Sequence, residues 1–312
     1  MTDDDGRWER AVLEKLAMEA LKEQRRARRW GIFFKLLTFA YITVAVLLAF
    51  DWKEGAKTGK HTALVEISGI IAPGSDYSAE KVITALNAAF KDKNTQGVVV
   101  RINSPGGSPV QSHTIYEEIR RLRRKHPEIP MHVVVEDLCA SGGYYVAVGA
   151  DRIYVSKSSI VGSIGVRLDS FGVTGLMEKL GIERRLLTAG ENKGMLDPFL
   201  PVDEKQKEHA LKMIAEVHQQ FIAVVREGRG KRLKETPDMF SGLIWTGAKG
   251  IELGLVDAFG SLDSVARDVI GAEEIVDYTQ KDNIAEKLAR RFGAAAGTAI
   301  MDAAVRWGTV IR

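Results

Sequence analysis

"GVVVRINSPGGSPVQSHTIYEEIRRLRRKHPEIPMHVVVEDLCASGGYY", residues 97–145, is the stretch that decides the fold. It holds two valine runs, Val98 to Val100 and Val133 to Val135, in which apolar and polar residues do not alternate. Strands of that kind are buried on both faces, as in a parallel sheet covered by helices. Between them residues 108–126 carry a helical pattern, so the stretch reads as strand, helix, strand, a βαβ unit. The same grammar extends outward. Residues 62–71, "TALVEISGII", predict a preceding strand, and residues 78–92 a helix opened by Ser78 with Glu80 close behind. Residues 141–150 predict a further helix and residues 151–156, "DRIYVS", a fourth strand. A long amphipathic helix is predicted over 203–227, then a short helix, a turn and another helix over 244–270. The expected class is α/β.

Upstream lies a different kind of segment. Residues 31–50, "GIFFKLLTFAYITVAVLLAF", hold one charge in twenty residues, Lys35, and Trp30 and Trp52 bracket them. At 1.5 Å per residue they span about 30 Å, the hydrocarbon thickness of a bilayer, and interfacial tryptophans are the usual anchors. A cleaved signal peptide fits less well, because Ala49 is followed by Phe50, Asp51 and Trp52 with no small-residue cleavage pattern. "KEQRRARR", residues 22–29, sets five basic residues against one acid just before the span, while Asp51 and Glu54 dilute the lysines after it. The positive-inside rule then keeps the N-terminus cytoplasmic and sends everything after Phe50 across the membrane, to the extracytoplasmic side.

The expected organisation is a basic N-terminal segment (1–30), a transmembrane helix (31–50), a linker (51–61), a catalytic domain (62–270) and an amphipathic C-terminal tail (271–312). A net charge of +3 over 312 residues gives no reason to expect nucleic acid. Cys139 is the only cysteine, which excludes an intramolecular disulfide, and no cysteine or histidine cluster suggests a metal; no cofactor is expected. Cys139 reads as a small buried residue at a strand end.

In open parallel sheets ligands bind beyond the carboxyl ends of the strands. Two glycine turns occupy that position, "NSPGGS" (103–108) and "CASGGYY" (139–145). The second has the logic of a nucleophile elbow, with Ser141 at a helix start and glycines that let backbone come close. The amide of Gly142, with that of Gly106 or Gly107, would form an oxyanion hole. Glycine turns after strands are routine, so from these residues alone catalysis and plain chain reversal stand level.

"VVVRINSPGGSPVQSHTIYEEI", "ASGGYYVAVGADRIYVSKSSIVGSIGV" and "IWTGAKGIELGLVDAFG", in that order, resemble the signal peptide peptidase A family of serine proteases in its short form, including the SohB-type proteases. The resemblance covers about residues 62–269. It implies a Clp protease/crotonase-like spiral of ββα units, here preceded by a single transmembrane helix. Clp-type enzymes carry a histidine a couple of dozen residues after the serine; here residues 158–166 read "SSIVGSIGV", and no histidine lies between His132 and His209. A lysine serves as base where burial favours its neutral form. The resemblance places that lysine in "TAGENKGMLDPF", at Lys193, 52 residues after Ser141, near Met195, Leu196 and Phe199, with Asp197 as a complicating charge. Ser163 is its candidate orienting residue. His209 falls inside an amphipathic helix and reads as a surface residue.

The resemblance further implies peptide substrates, namely signal-peptide remnants and other short or unfolded hydrophobic segments, with apolar or small residues next to the cut. It also implies a homo-oligomeric ring beside the bilayer, with serine and lysine sometimes supplied by adjacent subunits. Two other readings remain open, a crotonase-type acyl-CoA enzyme and a non-catalytic membrane scaffold.

Overall fold

The computed structural model describes residues 5–49 and 59–280. The chain divides into two units, residues 57–281 and a second containing the N-terminal helix α1 (Asp5–Ala49). Along α1 every side chain described between residues 15 and 44 is exposed, the apolar ones included. Among the described residues no helix is long and apolar enough to cross a membrane. Residue 50 and the side chains of 45–49, which close the span expected from sequence, lie outside the described residues. The amphipathic part of the tail, 283–312, also lies outside them.

The unit of residues 57–281 is a mixed α/β sheet. Its elements are β1 (His61–Ser68), α2 (Ala79–Lys91), β2 (Thr95–Ser104), α3 (Pro109–Lys125), β3 (Met131–Ala140), α4 (Gly142–Ala147), β4 (Arg152–Val155) and β5 (Ile160–Gly162). There follow α5 (Thr174–Lys179), α6 (Glu204–Arg229), β6 (Ile244–Thr246), α7 (Gly247–Glu252), β7 (Ala258–Phe259), α8 (Leu262–Ser264) and β8 (Ile275–Asp277). The strands run in the order β6-β5-β3-β2-β1-β8, with β4 beside β3 and β7 beside β4. All pairings are parallel except β5 with β6.

The valine runs behave as their lack of alternation predicts. Val98, Val99 and Val100 are all fully buried. One face of the sheet packs a large core with α2, α3, α4 and α6 through residues such as Val100, Leu86, Ile119, Tyr144 and Val225. The other face carries a smaller cluster of Val99, Val134, Tyr154 and Val265. Ser78 stands at the N-cap of α2 but its side chain accepts no capping bond. The Ala79 amide instead donates to Gln111 Oε1 on α3 at 2.8 Å, so the cap comes from a neighbouring helix.

Two departures from the sequence reading bear on the site. The residues of β8 were expected in the tail, yet they pair with Thr62, Ala63 and Leu64 of β1, so the sheet runs past residue 270. And β3 forks: His132 to Val134 pair with β4, whereas Leu138 to Ala140 pair with β5. Strands β5 and β6 are three residues each, too short to show a period in the sequence. The fork is what sets Ala140 against Gly162 and brings two loops together at the end of β3.

Candidate active site

Ser141 follows β3 directly and caps the start of α4, at φ 51° and ψ −122°. A non-glycine residue there stores backbone strain, on the order of 1–3 kcal/mol, and keeps it only where the surroundings over-determine the conformation. They do so here. The Ser141 amide donates to Gly162 O at 2.8 Å, and its carbonyl accepts from the Tyr145 amide at 2.9 Å. The half-buried hydroxyl has no hydrogen-bond partner among the described residues.

The turn after β2 closes over this serine. Gly106 and Gly107 have φ of 96° and 153°. A β-carbon on Gly106 would stand 2.5 Å from the Gly142 nitrogen and 2.9 Å from Ser141 Cβ, and one on Gly107 would strike the Ile71 carbonyl. Only glycine fits either position. The turn is held by Ile71, whose amide donates to Gly106 O at 2.9 Å and whose carbonyl accepts from the Ser108 amide at 2.8 Å. The Gly106 amide is occupied: it donates at 3.0 Å to Ser104 Oγ, which itself donates to Gly69 O. The amides of Gly107 and Gly142 carry no intrachain bond among the described residues. Of the three glycines expected from sequence, those two have free donors beside Ser141.

Ser163 follows Gly162, the residue that holds the Ser141 amide. It too has a positive φ, 52°, and its amide donates to Leu243 O at 2.8 Å. Lys193 lies elsewhere. It belongs to an arm, residues 167–203, in which no residue is buried, and its own side chain is exposed. Its amide donates to Gly190 O, and it does not line the cavity at Ser141. Met195 and Leu196 are half-buried without covering it. Asp197, the expected complication, is engaged by Arg184 at 2.6 Å and by the Phe199 amide at 2.9 Å. A cavity of about 510 Å³ within the arm includes neither Ser141 nor Lys193. His209 is exposed on α6. Burial pushes the Cys139 thiol far above its ordinary range, so it is an inert core group.

A second cavity, about 190 Å³, opens at Ser141 between α3, α4, α6 and the loop at Gly165. Its walls include Pro109, Val110, Val217 and Phe221; Gln220 adds a polar side chain from α6, and Ser112, His113 and Tyr145 are the polar members from α3 and α4. His113 Nδ1 lies 3.0 Å from Tyr145 Oη. Sequence reasoning missed these three. Ser112 had a signal, since it falls on the buried stripe of α3 with Ile115, Ile119 and Leu122.

A strained serine at a helix start, two unengaged amides beside it and a pocket at its side define the serine hydrolases that act on acyl groups. Residues 123–274 match the model of peptidase family S49. A Methanocaldococcus jannaschii protein carrying a protease name is 36% identical over 218 residues, covering 68% of this chain and 69% of its own length. A Brucella abortus protein named Na(+)/H(+) antiporter NhaA is 47% identical over 186 residues, or 60% of this chain, which spans only 25% of that protein. Among solved structures, a ClpP1 point mutant from Listeria monocytogenes aligns with a TM-score of 0.40 and 15% identity, covering 64% of this chain and 91% of that one. The chain belongs to peptidase family S49, a family of serine peptidases.

Proposed function

We propose that the chain is a membrane-anchored serine endopeptidase of the Clp protease/crotonase-like fold, with Ser141 as nucleophile and Lys193 as general base. The observation that carries this reading is the pair of free amides, Gly107 and Gly142, flanking a strained, unengaged Ser141. Lys193 Nζ takes the Ser141 proton as Oγ bonds to the peptide carbonyl carbon. The oxyanion rests on the Gly107 and Gly142 amides. Collapse breaks the C–N bond, and the lysine proton passes to the departing amine. Lys193 Nζ, neutral again, then takes a proton from water as the water oxygen bonds to the acyl carbon, and returns it to Ser141 Oγ as the ester C–O bond breaks. Ser163, beside the loop that holds Ser141, orients the lysine.

A lysine must be desolvated to be neutral and so to accept that proton, yet in the single chain Lys193 is exposed on an arm with no buried residue. The arm also presents large apolar side chains to solvent, with Phe171 82% and Leu187 94% exposed. Both features favour a homo-oligomeric ring in which the arm packs against a neighbouring copy and carries Lys193 to that copy's Ser141. The exposed apolar side chains of α1, from Ile32 to Val44, next to the basic residues 22–29, support its use as a bilayer anchor with the N-terminus cytoplasmic and the catalytic unit periplasmic. Substrates are then short or unfolded hydrophobic segments at the membrane, signal-peptide remnants among them, and the 190 Å³ pocket takes the side chain on the acyl side of the cut.

Peptide turnover by the full chain in detergent tests this. Ser141→Ala and Lys193→Ala each lower turnover by at least about a thousandfold, and mixing the two variants restores part of it. Undiminished turnover in Lys193→Ala contradicts the dyad. Two inactive variants that stay inactive after subunit exchange contradict pairing across the interface.

A further inference from the structure

Ser112 is fully buried on α3, and its hydroxyl has no partner among the described residues. The Ser112 oxygen fills the space that a β-carbon on Gly142 would take, so it stands directly behind the residue that follows the nucleophile. A buried hydroxyl without a partner is costly and uncommon. It also lines the pocket at Ser141, so a ligand side chain that presses into this wall and uncovers the hydroxyl would supply one.

A second polar feature stands in the same pocket. Tyr145 and His113 are joined through Tyr145 Oη and His113 Nδ1 at 3.0 Å. With a neutral imidazole the pair holds two polar hydrogens, one on the ring and one on the phenol. One is spent between them whichever tautomer is present, so the other is left to offer. Tyr145 keeps its phenolic proton, because burial pushes its pKa upward. Apart from Gln220 on α6 and Ser141 itself the remaining walls are apolar side chains and glycines, and no Asp, Glu, Lys or Arg is among the lining residues. A charged side chain entering the pocket would lose its water and meet no counter-charge.

We propose that this pocket selects an uncharged substrate side chain with an apolar body and a hydrogen-bonding tip, read by Ser112 and by the Tyr145–His113 pair. Threonine is favoured over valine, and tyrosine over phenylalanine. The selection rests on the reading that this pocket takes the residue on the acyl side of the cut. It sharpens the expectation of apolar or small residues, since the apolar walls accept those bodies and the polar points rank them.

The test is made where catalysis plays no part. Fluorescent peptides paired as Thr/Val and Tyr/Phe at that position are titrated against the full-length Ser141→Ala chain in detergent micelles. The tip-bearing member of each pair should bind roughly three- to tenfold more tightly, the range of one net hydrogen bond. The preference should vanish for at least one pair when Ser112→Ala is added, and shrink when the exposed His113 is changed to Leu. Ratios within a pair cancel any general loss of binding in these variants. Equal or weaker binding of the tip-bearing peptides overturns the proposal, as does a preference indifferent to both substitutions. Fluorophosphonate labelling of the chain with Ser141 intact is read in parallel. Labelling without the preference removes only the selection, and the preference without labelling removes only the hydrolase reading.

Discussion

At Ser141 backbone and chemistry are inseparable. The positive φ that lifts its hydroxyl clear of the sheet is held by Gly162 on one side and by the first turn of α4 on the other. Gly107 does the complementary work, bringing a free amide alongside because no β-carbon stands between it and the Ile71 carbonyl. Gly107→Ala must therefore shift backbone on both sides. We expect at least about a hundredfold loss of kcat/KM, the scale of one oxyanion donor, with a loss of about 2 kcal/mol in unfolding free energy. Steady-state kinetics beside denaturant melts of the two proteins measure both. Ser141 and the glycines could be singled out as candidates because their two turns fall at the carboxyl ends of successive strands, where open parallel sheets bind ligands; the choice of catalysis over a plain turn came from the resemblance. Lys193 entered as a candidate only through family resemblance, since an exposed lysine on an irregular arm carries no pattern of its own. Ser112, His113 and Tyr145 were not legible, because the pocket they share is made by packing α3 against α4, some thirty residues apart.

At the scale of elements, the long strands and helices followed from unbroken valine runs and the 3.6-residue stripe. The sequence predicted α6 over 203–227, and it spans Glu204–Arg229. What escaped was short or held by distant partners, such as β5, β6 and β8. One tie between elements is testable. Arg229, at the end of α6, is 1% exposed and donates to both oxygens of Asp257 at 2.9 Å and to Gly254 O at 2.8 Å. Asp257 Oδ2 also accepts from the Ile153 amide at the start of β4, so a single carboxylate joins α6 to the sheet. Burial alone would raise the Asp257 pKa; hydrogen bonding and charge from Arg229, with the Ile153 amide and Arg232, outweigh it and hold the group below the ordinary carboxylate range. A depressed folded-state pKa contributes stability that is present above the unfolded pKa and lost as pH falls through the folded one. Asp257→Asn leaves Arg229 buried without its counter-charge, at a cost of about 3 kcal/mol near neutral pH. In urea melts the gap between wild type and variant should hold from neutral pH down to about pH 5 and narrow below about pH 4. A gap that widens with acid would contradict the assignment.

At the scale of the whole molecule, a long helix with exposed apolar side chains, a sheet unit bearing a strained serine and an arm bearing an exposed lysine each lack something that the described residues of the single chain do not supply. The helix lacks an apolar surround, the serine a base and the lysine a cover. The proposed bilayer and ring of copies would supply all three, and neither can be read from strand and helix periods, which report only how a chain packs on itself. The claim on which the rest depends is that Ser141 is an activated nucleophile. Labelling of the full chain with a fluorophosphonate, followed by peptide mapping, measures that directly. The account predicts a single adduct on Ser141, absent in Ser141→Ala and formed at least about a hundredfold more slowly in Lys193→Ala. An unlabelled wild-type chain, or an adduct that persists in Ser141→Ala, would contradict it.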